Sequence, residues 1–136
     1  MKTDVINEKS HLAWFEKYSD LNNDFVFIIL AKDLDNSPIG QISLYSIDWD
    51  ARIAEFGRLM IGEPFAQGKG YAKEATRLLL HYSFTKLRLK QIHLEVKENN
   101  EPAIAIYKSI GFIETTRNDG LVFMVARHEA SQWEIE

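Results

Sequence analysis

The stretch Gln67-Gly68-Lys69-Gly70-Tyr71-Ala72 decides how this chain is read. Two glycines within three residues let a backbone approach a ligand with no Cβ in the way. The residues before it, 56–62 (FGRLMIG), read as a buried strand. Those after it, about 73–87, carry Ala75, Leu78, Leu79 and Tyr82 at helical spacing. A loop that ends a strand and opens a helix offers unpaired amide N–H groups and the positive end of a helix dipole, a ready anion cradle. Pro64 cannot donate to a ladder, so the strand has to end before it.

Working outward from the loop, residues 91–97 alternate cleanly, with Ile92, Leu94 and Val96 on one face and His93, Glu95 and Lys97 on the other. Pro102 suits a first helical turn, with Asn100 or Glu101 near its cap. The helix carries Ile104, Ile106, Tyr107 and Ile110 and stops at Gly111. Residues 112–116 and 121–126 read as strands joined at Asn118-Asp119-Gly120. Upstream, residues 53–61 read as a strand preceded by a hairpin of 25–31 and 39–48, with Ile42 and Leu44 on one face and Tyr45 and Ile47 on the other. The run FVFIILA over 25–31 reads as buried on both faces. Residues 8–18 read as a helix with Asn7 as its cap, from the spacing of Leu12, Trp14 and Phe15. The order is helix, three strands, helix, strand, helix, two strands. The strand–loop–helix–strand unit around the glycines has to be a parallel crossover.

Bulk properties narrow the function classes. The 136 residues fit one domain over 1–136, with a tail from about 128, and 46% hydrophobic content supports a real core. A net charge of -4 argues against nucleic acid as the partner. The absence of cysteine excludes a disulfide framework, a thiol nucleophile and a Cys-based zinc site. His11, His81, His93 and His128 have no metal-ligand spacing, so no metal is expected. The chain has neither a signal-peptide pattern at its start nor an apolar run long enough to span a membrane, so a cytoplasmic protein is the expectation.

Two linked motifs carry a resemblance. Gln67-x-x-Gly70-x-Ala72, after a strand ending Leu59-Met60-Ile61-Gly62, resembles the coenzyme A pyrophosphate loop of the GNAT superfamily of acetyl-CoA-dependent N-acetyltransferases. The run 100–112, with Asn100, Ala103-Ile104, Tyr107 and Gly111-Phe112, resembles that family's N-x-x-A-I-x-x-Y-x-x-x-G-F segment. The resemblance covers about residues 25–125. It implies an α/β (α+β) fold: a single GNAT-like domain with a mixed central sheet, splayed parallel strands and flanking helices. The family normally opens with a further strand and helix, and the N-terminal strand looks missing here. Residues 25–31 would then be an exposed apolar edge, which a homodimer could cover.

For the site, the resemblance implies acetyl-CoA as cofactor and a small-molecule primary amine as acceptor, joined in a ternary complex. The backbone of Met60 and Ile61 would take the pantetheine amides between the splayed strands. Gln67, Gly68, Lys69, Gly70, Tyr71 and Ala72 would hold the pyrophosphate. Asn100 would bond near the pantetheine arm. Tyr107 would protonate the leaving thiolate as the tetrahedral intermediate collapses, since a phenol is neutral at pH 7 and can donate. Glu55 and Glu95 are the candidate bases, or water relayed by them; both also read as solvated or ion-paired carboxylates. His93 reads as a strand-surface residue. Leu12-Ala13-Trp14-Phe15 and Glu55-Phe56-Gly57 are similar to the branch holding nucleotide-amino-sugar and ribosomal-protein-type N-terminal acetyltransferases, and lean toward the sugar enzymes. A non-catalytic acyl-CoA-binding module is the rival reading. A P-loop nucleotide binder is disfavoured, because Gly68-Lys69-Gly70 lacks the G-x-x-x-x-G-K-[ST] spacing.

Overall fold

A computed structural model describes residues 2–5, 12–21, 24–62, 68 and 70–128, with the backbone alone described for those before residue 24 and for Arg58. Eight strands form one sheet: β1 (Lys2–Val5), β2 (Leu12–Leu21), β3 (Asp24–Ala31), β4 (Ser37–Asp48), β5 (Ile53–Ile61), β6 (Gln91–Lys97), β7 (Ile113–Asn118) and β8 (Leu121–Arg127). Their spatial order is β1-β2-β3-β4-β5-β6-β8-β7. Two helices, α1 (Tyr71–Thr85) and α2 (Glu101–Ile110), follow β5 and β6. Every neighbouring pair is antiparallel except β5–β6, the one join that a helical crossover makes.

The start of the chain departs from the helix expected over 8–18. Residues 12–18 lie within β2, paired antiparallel to β3 from Leu12↔Ala31 to Leu21↔Asp24. Asn7 and residues 8–11 lie outside the described residues. A short apolar cluster such as Leu12, Trp14 and Phe15 fits either period, and pairing with an apolar neighbour strand decides for the extended form. With β1 and β2 ahead of it, β3 is an interior strand, so the missing first strand and the exposed edge at 25–31 are both corrected. Nor is β3 buried equally on both faces: Phe27, Ile29 and Ala31 are buried while Val26, Ile28 and Leu30 are half-buried.

Two bulges set which side chains face the helices. In β4, Tyr45↔Glu55 and Asp48↔Ile53 leave three steps against two, and Ser46 takes a φ of 52°. The parity therefore shifts, and Ile47 is buried with Ile42 and Leu44 instead of sharing a face with Tyr45. In β5, Gln41↔Met60 and Ser43↔Gly57 leave three steps against two, a bulge at residues 58–59. Before it Ala54 and Phe56 are buried; after it Leu59 and Ile61 pack against the core while Met60 is 57% exposed.

The core lies between the sheet and the helices. Leu79 and Leu80 of α1 and Ile104, Tyr107 and Ile110 of α2 pack there with Phe27, Ile42, Leu44, Phe56, Ile92, Leu94 and Met124. The tight β7–β8 turn has both Asp119 (φ 54°) and Gly120 (φ 78°) left-handed, as a two-residue hairpin of this hand demands. No helix among the described residues is long and apolar enough to cross a membrane.

Candidate functional site

The site is a fork in the sheet. Strands β5 and β6 pair over three rungs only, Ile53↔Gln91, Ala54↔Ile92 and Glu55↔His93. From Phe56 and Leu94 onward no pairing joins them, and β6 continues against β8 to Lys97↔Leu121. The expected splay of the two parallel strands is therefore present.

On the helix side two connected hollows follow the open limb of β5. One, of about 280 Å³, is lined by Ile61, Gly68, Gly70, Tyr71, Ala72, Lys73 and Ile106. The other, of about 240 Å³, is lined by Leu59, Ile61, Ala72, Asn100, Ala103, Ile106 and Tyr107. Ile61, Ala72 and Ile106 line both, so the two adjoin, with the glycine loop at one end of this channel and Tyr107 at the other. At its loop end, Gly68 (φ 75°) and Gly70 (φ 86°) hold left-handed backbone with open space where a Cβ would stand. Gly70 caps α1 with no side-chain hydrogen bond, so the first amides of the helix are not capped from a side chain. That combination suits an anion of phosphate size. The middle of the channel is apolar, suited to a flexible linear arm.

The Tyr71 side chain adds a role to the one expected of its backbone amide. It is 2% exposed, and its hydroxyl donates to Asp33 at 2.9 Å (Oδ1) and 3.1 Å (Oδ2). Its backbone therefore serves the loop while its ring anchors it. Met60 turns its carbonyl toward Gly40 of β4, where a Cβ would collide with it, and its side chain toward solvent; Ile61 is the one of that pair in the channel. Gln67 and Lys69 lie outside the described residues.

At the far end, Asn100 caps α2 by accepting from the Ala103 amide at 3.3 Å, which leaves its NH2 group directed elsewhere. Tyr107 is 9% exposed and stands edge-on to Phe56 (5.8 Å between centroids) and Phe112 (5.7 Å). Burial raises its phenol above the usual value, so it stays protonated well past neutral pH. It makes no hydrogen bond with any described residue, so the proton remains to be given.

The opposite face of the sheet carries a third hollow, about 420 Å³, lined by Ile53, Glu55, His93, Leu94, Glu95, Thr115, Phe123 and Met124. Glu55, His93, Glu95 and Phe123 alternate with the helix-facing Phe56, Leu94 and Val122, so they project from the other face. Glu55 and His93 form the last rung before the fork. His93 Nε2 lies 3.0 Å from Gln91 Oε1. Both expected bases thus meet in one hollow, and His93, read as mere surface, joins them. Leu59, Ala103, Ile106, Thr115 and Phe123 were not expected among the site residues. Leu59 depends on the β5 bulge, and Thr115 and Phe123 on the long-range pairing of β7, β8 and β6. Among the described residues no group of His, Asp and Glu is arranged to hold a metal ion.

The family model described as Acetyltransferase (GNAT) domain matches residues 2–113. The chain belongs to the GNAT acetyltransferase family. As a GNAT domain it is 35% identical over 100 residues to spermidine N(1)-acetyltransferase of Vibrio cholerae, covering 74% of this chain and 56% of that protein. It is 33% identical over 117 residues to a Bacillus subtilis protein named for ribosomal N-acetyltransferase activity, covering 85% and 61%. The chain spans about half the length of the curated relatives it matches. Among solved structures, Vibrio cholerae spermidine N-acetyltransferase in complex with CoA and spermine superposes with a TM-score of 0.72 at 29% identity, covering 84% of this chain and 70% of that one. The glycine loop and the hollows beside the fork suit coenzyme A by chemistry: an anion cradle that gives onto an apolar passage, with Tyr107 in the lining of its far end.

Proposed function

We propose that this protein is an N-acetyltransferase that uses acetyl-CoA and a small cationic primary amine of the polyamine kind. The observation that carries the reading is the pair of spaces on opposite faces of one fork. A channel with a phosphate cradle reaches Tyr107 on the helix side, and a hollow with two carboxylates lies on the other.

Acetyl-CoA supplies the activated acyl group. Gly68, Gly70 and the first amides of α1 bind the pyrophosphate, and Leu59, Ile61, Ala103 and Ile106 enclose the arm. Glu55 and Glu95 attract an ammonium group, and half-buried Glu55, beside the opening, takes its proton directly or through water. Tyr107, protonated because it is buried, gives its hydroxyl proton to the departing sulfur. With no cysteine in the chain, direct transfer in a ternary complex needs no acyl-enzyme.

The carboxylates also bear on the acceptor. A nucleotide-linked amino sugar would carry a diphosphate toward Glu55 and Glu95, an unfavourable like-charge approach. A polyamine meets the opposite sign, and the relatives named as spermidine acetyltransferases support that class. The test is CoA release with spermidine, spermine, nucleotide-linked amino sugars and N-terminal peptides. Turnover with the polyamines is expected. Turnover with an amino sugar alone would replace the acceptor, and acetyl-CoA binding with no amine acetylated would leave a non-catalytic module.

A further inference from the structure

Tyr45 of β4 is the ladder partner of Glu55, and both side chains leave the sheet on the face that carries the acidic hollow. Its ring does not stay over its own rung. It leans along β5 to Gly57, where a Cβ would meet the Tyr45 hydroxyl at 2.8 Å, Cε1 at 3.3 Å and Cζ at 3.5 Å. Gly57 has no positive φ, so its backbone does not require glycine. What a Cβ there would displace is the phenol of Tyr45, a side chain and not backbone. Gly57 lies two residues past the Glu55–His93 rung, along the limb where β5 has parted from β6. The hydroxyl of half-buried Tyr45 thus stands over Gly57 on the open limb of β5, on the face that carries the acidic hollow.

We propose that Tyr45 is an acceptor-binding residue, its hydroxyl set over Gly57 to accept a hydrogen bond from the incoming amine beside Glu55. This rests on the acetyltransferase reading above. A phenol suits the place: it accepts from an ammonium or amine N–H without adding a charge, and its ring limits how far the amine can slide along β5.

The test compares Tyr45→Phe, Gly57→Ala and the double variant, with spermidine as probe. Each is measured for spermidine KM, acetyl-CoA Kd and thermal midpoint. Tyr45→Phe is expected to raise KM about three- to tenfold, the loss of one neutral hydrogen bond, with acetyl-CoA Kd and the midpoint unchanged. Gly57→Ala displaces the end of a flexible side chain, so the fold tolerates it and KM rises similarly. In the double variant the alanine adds nothing further, because the hydroxyl it displaces is gone. A parent that acetylates spermidine beside a Tyr45→Phe variant with the same KM overturns this proposal alone. A rise in KM that is additive in the double variant also overturns it. A parent that acetylates no amine overturns it together with the reading on which it rests.

Discussion

Tyr71, the first residue of α1, donates its hydroxyl to the carboxylate of Asp33, 38 positions earlier in the turn between β3 and β4. The bond crosses from the glycine loop to a 3-10 turn (Lys32–Leu34) that ends in two left-handed residues, Asp35 and Asn36. It ties the start of the helix, the end that meets an anion, to the rigid hairpin of the sheet. Tyr71→Phe keeps the buried ring and leaves Asp33 at the surface, so the loss is one hydrogen bond to a charged group, about 1.5–3 kcal/mol at most. Calorimetry is expected to find weaker coenzyme A binding by several-fold. Unaltered affinity would show that the loop holds its shape without the anchor.

Tyr107→Phe separates chemistry from binding. The phenylalanine keeps the edge contacts to Phe56 and Phe112 and loses only the hydroxyl. Turnover should fall about a hundredfold or more, the usual contribution of a positioned acid, with acetyl-CoA affinity within about twofold. Equal turnover in the variant would remove Tyr107 from the mechanism.

Glu55→Gln tests the acidic hollow. Losing the carboxylate beside the fork should raise KM for a polycation such as spermidine, and the rise should shrink at high salt as screening weakens the attraction. Glu95→Gln, at an exposed position, should do the same more weakly. A spermidine KM equal to the parent's at every salt concentration in both variants would dissociate the carboxylates from acceptor binding.

Alkaline stability follows from the two buried phenols. Burial raises Tyr107, and burial with the Asp33 hydrogen bond and charge raises Tyr71. In the unfolded chain both titrate near 10. Their folded forms hold the proton longer, so stability is intact below about pH 10 and is lost as pH rises through the raised values. Urea unfolding between pH 8 and 11 should give a downturn above 10 that is shallower in Tyr71→Phe and in Tyr107→Phe. Parallel curves for parent and variants would rule these phenols out as its source.

Gly40→Ala examines the β5 bulge from its partner strand. A Cβ there would run into the Met60 carbonyl and approach Ile61 Cα within 3.0 Å, so backbone has to move. Destabilisation of about 1–3 kcal/mol is expected, roughly 4 °C of melting temperature for each kcal/mol. An unchanged midpoint would mean that the two strands separate freely at this point.

Much of this was legible because local signals agreed with one another. The glycine pair, the stripe on α1, Asn100 before Pro102, Gly111 and Asp119-Gly120 each specify backbone within a few residues. The structure has the elements there, with β5 and β6 at the expected bounds. The splay at Phe56 followed from the resemblance those signals carried. What was not legible depends on partners far along the chain. Residues 12–18 are extended because β3 pairs with them. The two bulges, which bury Ile47 and bring Leu59 into the channel, leave no mark in the hydrophobic pattern. Thr115 and Phe123 reach the acidic hollow only through pairings that cross the whole C-terminal half. The lean toward an amino-sugar acceptor rests on short local patterns, whereas the meeting of Glu55 and Glu95 in one hollow depends on the sheet.

The fork also makes a seam. Strands β1–β5 form one continuous ribbon and β6, β8 and β7 another, and among the described residues three rungs join them. Past those rungs Phe56 of β5 packs against Tyr107 and Phe112, which plug the opening. A ligand whose amides bonded to both open limbs would act as a temporary ninth strand, closing the ladder that the chain leaves unfinished. Loading the protein would then slow amide hydrogen exchange along β5 and β6 on both sides of the gap, and the zipped sheet would melt as a single unit.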